Sequence, residues 1–185
     1  MTINELKNED KVFIRTIFKE MRDKTNSFSK ERNFIMSNAQ LFTFLSNAPA
    51  ALAIASDGNV DVEEIAALEK LARSIDVYVS VDMNLLEFMS IAFEPDNCMI
   101  NEEFNMRVGS ELLFLARNLN RFENDFVAAL KGMLTFDMNP QKDGSLTASF
   151  NLLMNSMIEN NVSRNKEEEM KKMNEFKQKI GIATN

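Results

Sequence analysis

The sequence contains no histidine and no tryptophan, and it has a single cysteine. Without histidine the chain lacks the commonest general base and the commonest metal ligand, so Ser-His-Asp and Cys-His catalytic arrangements are excluded. The lone Cys98 excludes an intramolecular disulfide, which is typical of proteins in a reducing compartment. Neither a glycine-rich phosphate loop nor a paired-cysteine motif is present. These absences predict a non-enzymatic protein located in the cytoplasm.

Glycine and proline are also scarce, with five and three residues in a chain of 185. A β-sandwich or β-barrel needs many tight turns, so this scarcity favours helices. Apolar residues make up 45% of the chain, and its thirteen methionines and fifteen phenylalanines suit an irregular helical core. Apolar spacing indicates about seven to eight helices and no strand with sustained alternation. The sequence therefore predicts an all-α fold, a single compact multi-helix bundle.

Cap residues and apolar spacing indicate where the individual helices begin and end. A helix over 30–46 is expected after an N-cap at Ser29, with Ile35 on its buried face. A separate short helix is expected to begin at Pro49, because proline is well tolerated in a first helical turn. The helix that follows Asn101 is expected to break near 118–121.

The C-terminal helix is mainly polar and carries a thin apolar stripe. The stripe consists of Met170, Met173, Phe176 and Ile180. A stripe this narrow favours a helix docked on its own domain, and an arm that contacts a partner or a second copy remains the alternative.

Acidic charge is concentrated in one part of the chain. The net charge is −7, and residues 47–106 carry twelve acidic side chains but only two basic ones. Such a field repels nucleic-acid phosphates and attracts cations or basic partners. We expect a protein partner, no nucleic acid, and an interaction surface that includes Glu63, Glu64 and Asp82. No apolar run approaches the ~20 residues of a membrane span, so membrane insertion is not expected, whereas peripheral membrane association and homo-oligomers remain open.

A short turn, "ASDGNVDVEE", begins this acidic region. Gly58 supplies the positive φ that a sharp reversal after a helix requires. Asp61 stands where an N-cap belongs and Glu64 follows three residues later, which is the spacing of a capping box. A turn and a cap thus account for these three residues without a ligand.

The same turn matches the second half of an EF-hand calcium loop, which has glycine at position 6 and oxygen ligands at positions 5, 7, 9 and 12. The residues at those ligand positions are Asp57, Asn59, Asp61 and Glu64. Positions 1 and 3 are Ala53 and Ala55, which offer no side-chain oxygen, so other groups must complete the shell. A second Asp-Gly turn later in the chain adds Asp143. These five oxygen-bearing residues are the predicted ligands of a divalent cation, calcium or similar.

The stretch "IASDGNVDVEEIAALEKLA", entered from an apolar helix, resembles the TerB-like family of tellurite-resistance proteins and the N-terminal region of certain DnaJ co-chaperones. The resemblance covers about residues 48–160. It implies a TerB-like helical core (47–160) between N-terminal helices packed on that core (1–46) and a peripheral C-terminal helix (161–185). It is carried by Asp57, Gly58, Val60, Glu64 and Ile65, and by Asp143 and Gly144 at the second turn. The chain departs from the pattern at Ser56, which replaces alanine or an acid, and at Phe150, which replaces the second glutamate. The resemblance implies a compact all-α fold, a stress-response or scaffold role near the cytoplasmic membrane, and a divalent-cation site made by the acidic turns.

Three functions are compatible with these patterns. The first is a non-enzymatic, TerB-like interaction or stress-response module with an acidic surface that holds a cation weakly at the Asp57-Gly58 turn. The second is a metal-dependent carboxylate enzyme, which would need acidic side chains to converge from several helices. The third is a purely structural or oligomerising protein in which the turns only join helices.

Overall fold

A computed structural model describes residues 8–55, 59–73, 102–135, 146–160 and 166–183. These residues form seven α-helices, and no strand occurs among them. The helices are α1 (Asn8–Arg32), α2 (Asn38–Ile54), α3 (Val62–Arg73), α4 (Glu102–Arg117), α5 (Leu119–Leu134), α6 (Leu146–Asn160) and α7 (Lys166–Ile180). The prediction of a compact all-α bundle is confirmed. Apolar spacing after Asp82 also predicts a helix over about 83–92, which lies outside the described residues.

The centre of the bundle is α2, of whose 17 residues 15 are buried. It packs against α4, α5 and α6 and also touches α3 and α7, while α1 lies along α5. A helix that is apolar on every side is stable only in an interior, because any exposed face would leave apolar surface in water. The composition of α2 therefore dictates its central place.

Phenylalanine rings join α1, α2 and α5 in this core. Phe28 of α1 is fully buried, and its ring centre lies 5.2 Å from that of Phe126 and 5.4 Å from that of Phe122, both edge to face. It also stacks on Phe44 of α2 at 5.6 Å. Edge-to-face ring pairs add about 0.5–1.5 kcal/mol to the effect of burial, so this cluster fixes how the three helices pack.

The predicted boundaries between the first helices are wrong. The first helix continues through Ser29 to Arg32, and α2 is one helix with Pro49 inside it. The true start of α2 is a capping box, in which the Gln40 amide donates to Ser37 Oγ at 3.1 Å and the Ser37 amide donates to Gln40 Oε1 at 2.9 Å. A proline inside a helix costs about 3 kcal/mol, and burial on all sides of α2 offsets that cost.

The first helix ends at a left-handed residue, Asn33, with φ of 48°. The Phe34 amide donates back to the carbonyl of Ser29 at 2.8 Å, which is the long hydrogen bond of a Schellman motif. Residues 34–37 beyond Asn33 belong to no helix, and burial alternates along them: Phe34 and Met36 are buried, while Ile35 between them is 86% exposed. The prediction that Ile35 is buried is wrong because this segment alternates like a strand instead of turning like a helix.

The last helix docks on α5, α6 and α2 through its apolar stripe. It ends in a second Schellman motif, with Gly181 at φ of 87° and the Ile182 amide donating to the Lys177 carbonyl at 2.8 Å. The buried apolar side chains of this segment are Met173, Phe176, Ile180 and Ile182. Met170 is 54% exposed, so the stripe begins one turn after its predicted first member. These buried side chains hold α7 against α5, α6 and α2.

Within the described part of the chain, none of the helices is long and apolar enough to cross a membrane.

Candidate functional site

The predicted capping box forms at the start of α3. The Glu64 amide donates to Asp61 Oδ1 at 2.8 Å, and the Asp61 amide donates to Glu64 Oε2, also at 2.8 Å. The Ile65 amide donates to the Asp61 carbonyl at 3.1 Å and closes the first helical turn. Both carboxylates therefore satisfy backbone N–H groups that the start of a helix leaves without partners.

This box bears directly on the predicted cation ligands. Asn59, Asp61 and Glu64 are described, whereas Asp57 and Asp143 lie outside the described residues. Glu64 is only 3% exposed, and one of its carboxylate oxygens accepts the Asp61 amide. Across the described ranges, no three acidic or cysteine side chains are grouped so that they could hold a metal ion. The described residues at this turn are thus arranged as a helix cap.

The predicted acidic interaction surface consists of Glu63, Glu64 and Asp82, and the structure shows one of these three side chains as exposed. Glu63 is exposed in the first turn of α3, but the neighbouring Glu64 is buried by its role in the cap. Asp82 lies outside the described residues. Of these three acids, Glu63 is therefore the one that the structure shows facing solvent.

An open groove of about 740 Å³ lies beside this turn. It forms where the end of α2, the residues before α3, the junction of α4 and α5, and one face of α7 meet. We call it the α7 groove, and its lining residues are Leu52, Ala55, Asn59, Val60, Ala116, Arg117, Leu119, Asn120, Glu123, Lys172, Glu175, Phe176 and Lys179. Its size is within the range of about 300–1,000 Å³ that is usual for binding sites.

The floor of the α7 groove is apolar. Leu52 and Ala55 come from the buried end of α2, and Phe176 comes from the docked stripe of α7. Val60 and Leu119 are half-buried and pack against the core from either side. An occupant would therefore gain free energy by covering apolar surface in this groove.

The rim of the α7 groove carries charges of both signs. Lys179 Nζ lies 2.6 Å from Glu123 Oε1, and this ion pair links α7 to α5. Lys172 lies 3.5 Å from Glu168 within α7. Arg117, in the last turn of α4, is exposed, as is Glu175. The rim can therefore pair with both acidic and basic groups of an occupant.

Helical spacing aligns one side of the α7 groove. Four lining residues share one face of α7, because the last three follow the first by three, four and seven positions. They are Lys172, Glu175, Phe176 and Lys179. With a rise of 1.5 Å per residue, this face is about 10 Å long, or roughly two helical turns. The groove is therefore long enough for a short helical segment.

The wall of the α7 groove opposite α7 contains the break between two helices at Asn118, where α4 ends and α5 begins. The Asn118 side chain donates from Nδ2 to the carbonyl of Phe114 at 2.9 Å, and α5 begins at the next residue. The predicted break near this position is confirmed. Arg117 before this break and Asn120 after it both line the groove.

A buried acid elsewhere in the bundle joins α1 to α4. Glu111 is fully buried, and its carboxylate accepts from Arg32 Nε and from Arg107 Nε, each at 2.6 Å. Arg107 also donates to the carbonyl of Arg32 at 2.8 Å, and the Arg32 guanidinium lies 4.1 Å from the Phe114 ring centre. The hydrogen bond that Arg32 donates to Glu111 raises the pKa of Arg32 above its usual value. We call Arg32, Arg107 and Glu111 the Glu111 clasp, because their charged groups pair with one another and hold α1 against α4.

Lys177 is an unusually buried cation in α7. It is 9% exposed, and its Nζ lies 3.4 Å from Asn155 Oδ1 on α6. Burial away from water lowers the pKa of Lys177 below its usual value of 10.5, because the charged form loses hydration.

Comparison of the chain with protein-family models, with curated proteins and with solved structures found no match. The resemblance to the TerB-like family therefore depends on the sequence motif alone.

Sequence reasoning did not find the α7 groove. Its walls come from residues such as Leu52, Arg117 and Phe176, which are more than fifty residues apart in the chain. The one sequence signal was the amphipathic stripe of the C-terminal helix, which indicated a docked helix but not the space beside it.

Proposed function

We propose that this chain is a non-enzymatic helical interaction module that binds a segment of a partner protein in the α7 groove. The proposal is carried by one observation, an open groove of about 740 Å³ with an apolar floor inside a charged rim. Recognition of an amphipathic helix by an apolar groove is a recurrent mode of peptide binding.

The occupant that fits is a short amphipathic helix of mixed charge. Its apolar face would cover Leu52, Val60 and Phe176, and its polar flanks would meet the rim. Arg117 would pair with an acidic side chain of the partner, and Glu175 with a basic one. A rim of both signs fixes the orientation of the bound helix more than it adds affinity.

The family resemblance adds the biological part of this proposal. A TerB-like protein is expected to act in a stress response or as a scaffold, and we propose that role for this chain, together with a location in the cytoplasm. Two features support it: an apolar helix precedes the turn, and the Asp61–Glu64 box starts the helix after it. The α7 groove opens next to that turn, at Ala55, Asn59 and Val60.

The proposal can be tested by crosslinking from inside the groove. A photoreactive amino acid is placed at Asn120 on the groove wall or, as a control, at Lys131, which is exposed on α5 and does not line the groove. We expect a partner crosslinked from position 120 but not from position 131. A pattern that is the same from both positions would contradict the proposal.

Binding of the crosslinked partner segment is then measured with purified protein. The double variant Arg117→Glu/Lys172→Glu reverses two rim charges and leaves the floor intact. We expect it to weaken binding at least about tenfold, because like charges across an interface cost several kcal/mol. Lys131→Glu should bind like the wild type, and equal affinity for all three proteins would refute the groove as the binding site.

A further inference from the structure

A second groove, of about 380 Å³, lies on the outer side of α1 where the chain crosses to α2. We call it the corner groove. Its lining residues are Arg22, Thr25, Asn26, Ser29, Lys30, Asn33, Phe34, Ile35, Met36 and Leu41. None of them lines the α7 groove, so the two grooves are separate surfaces.

The corner groove is held in shape before any ligand arrives. The Schellman motif at Asn33 turns the chain sharply away from α1. The Arg22 guanidinium then crosses the gap, donating from Nη1 to the Met36 carbonyl at 2.5 Å and from Nη2 to Asn38 Oδ1. A groove fixed in this way costs little ordering entropy when it binds.

The floor and lip of the corner groove are apolar. Phe34, Met36 and Leu41 are buried beneath it, at 7%, 5% and 1% exposure. Ile35 projects from the lip and is 86% exposed, the highest value among the large apolar side chains of the described residues. An apolar side chain of a ligand could pack between this lip and the floor.

The charge of the corner groove is opposite to that of the protein as a whole. The lining contains two charged residues, Arg22 and Lys30, and both are cations. The chain has a net charge of −7. An acidic ligand is therefore repelled by the protein on average and attracted at this corner, so charge selects both the ligand and its place of binding.

From these observations we propose that the corner groove binds an acidic segment of a partner protein in which apolar side chains alternate with carboxylates. An apolar side chain packs against Ile35 and Leu41, and a neighbouring carboxylate pairs with Lys30. An extended segment suits this site, since alternate side chains then point toward the floor and toward the cationic wall. The binding is independent of the α7 groove.

The probe is a fluorescein-labelled peptide in which leucine alternates with glutamate, and binding is followed by fluorescence polarisation. We expect saturable binding that weakens as salt is raised, because exposed charges are screened. The same peptide with lysine in place of glutamate should not bind. Failure of the acidic probe to bind, or equal binding of the lysine peptide, would overturn the proposal.

Two matched variants locate the site on α1. Lys30→Glu and Lys24→Glu change the net charge equally, and both side chains are exposed, but Lys24 does not line the groove. We expect Lys30→Glu to weaken the acidic peptide at least about fivefold and Lys24→Glu to leave its affinity within about twofold. Equal effects of the two variants would mean that the peptide responds only to net charge, and the proposal would fall.

Two further variants test the apolar contact and the independence of the grooves. Ile35→Ser should weaken binding about threefold or more, because it removes apolar surface that the ligand would cover. Arg117→Glu/Lys172→Glu should leave the affinity for the acidic peptide unchanged, because neither residue lines the corner groove. The proposals for the two grooves can therefore be refuted independently of each other. Retention of full affinity by Ile35→Ser would contradict the proposed contact.

Discussion

Asp61 and Glu64 exchange two hydrogen bonds of 2.8 Å, each carboxylate accepting the backbone amide of the other residue. This reciprocal pair turns the most acidic-looking turn of the chain into the start of α3. The pair also explains why Glu64 can be buried, at 3% exposure: its carboxylate accepts a hydrogen bond and lies at a helix N-terminus, which stabilises negative charge. The relation between these two residues leads to the first two predictions.

Removal of the cap should destabilise the protein measurably. Asp61→Ala deletes the side chain that accepts the Glu64 amide, and we expect it to lower the free energy of unfolding by about 1 kcal/mol, within the usual range for an N-cap. Urea unfolding followed by circular dichroism measures the change. Glu63→Ala is the control, because Glu63 is exposed in the same turn and makes no cap bond. Equal losses in both variants would show that the box contributes nothing.

Divalent cations provide a separate test of the same turn. Because the cap engages the carboxylates of Asp61 and Glu64, we expect the melting temperature to be the same in calcium and in EDTA. A ligand that binds only the folded state stabilises it by RT ln(1 + L/Kd), where L is the free ligand concentration, so the melting temperature rises once L exceeds the dissociation constant Kd. A rise with Ca²⁺ or Mn²⁺ that Asp57→Asn abolishes would instead establish the cation site predicted from the sequence.

The clasp around Glu111 should be far more sensitive than an ion pair on the surface. Glu111→Ala removes a fully buried carboxylate that accepts from the partly exposed Arg32 and Arg107, and we expect a loss of about 2–3 kcal/mol, because each hydrogen bond to a charged group contributes about 1.5–3 kcal/mol. Glu31→Ala removes the exposed pair with Arg121 and should cost less than about 1 kcal/mol. Urea unfolding of both variants measures the difference. Losses of similar size would contradict the structural role of the buried acid.

The buried Lys177 predicts a change of stability with pH. Its pKa is lower in the folded protein than the 10.5 of an exposed lysine, so between these two values the unfolded chain binds more protons than the folded one. Stability contributed by this group therefore rises with pH across that window, and the cost of burying the charge is greatest below it. We expect Lys177→Met to remove this part of the slope of unfolding free energy against pH.

The matched control for that experiment is Lys171→Met, since Lys171 is exposed on the same helix. It should keep the slope of the wild type between neutral pH and about pH 10.5, the usual pKa of an exposed lysine. If the slope of Lys177→Met equals that of Lys171→Met, the buried amine does not titrate as the structure implies.

Local chemistry made several elements predictable. The Asp61–Glu64 box and the break at Asn118 depend on residues only a few positions apart, and both are confirmed. The boundary between α1 and α2 was misplaced because two serines, Ser29 and Ser37, are each plausible caps. Only Ser37 is followed three residues later by a glutamine that returns the bond. The helix start predicted at Pro49 is wrong for a related reason. Proline is tolerated inside α2 because the surrounding helices bury it, and the local sequence does not show those helices.

The candidate sites were less predictable than the fold. The sequence directed attention to acids near Asp57, and the described acids there form a cap. The α7 groove and the corner groove were missed because they are spaces between elements, and no periodicity within one element encodes such a space. Helical spacing predicts a buried Ile35, but the residue lies outside any helix, between the buried Phe34 and Met36, and is exposed.

By itself, the sequence determined that this protein is a helical bundle. Scarce glycine and proline exclude a fold rich in tight turns, and apolar periods of three and four residues require helices that bury one face. Only the tertiary structure decided which helix lies at the centre, which acid is buried between two arginines, and where the surface opens into grooves. Those features depend on contacts between residues distant in the chain, such as Arg32 with Glu111 and Phe28 with Phe126, and packing alone brings them together.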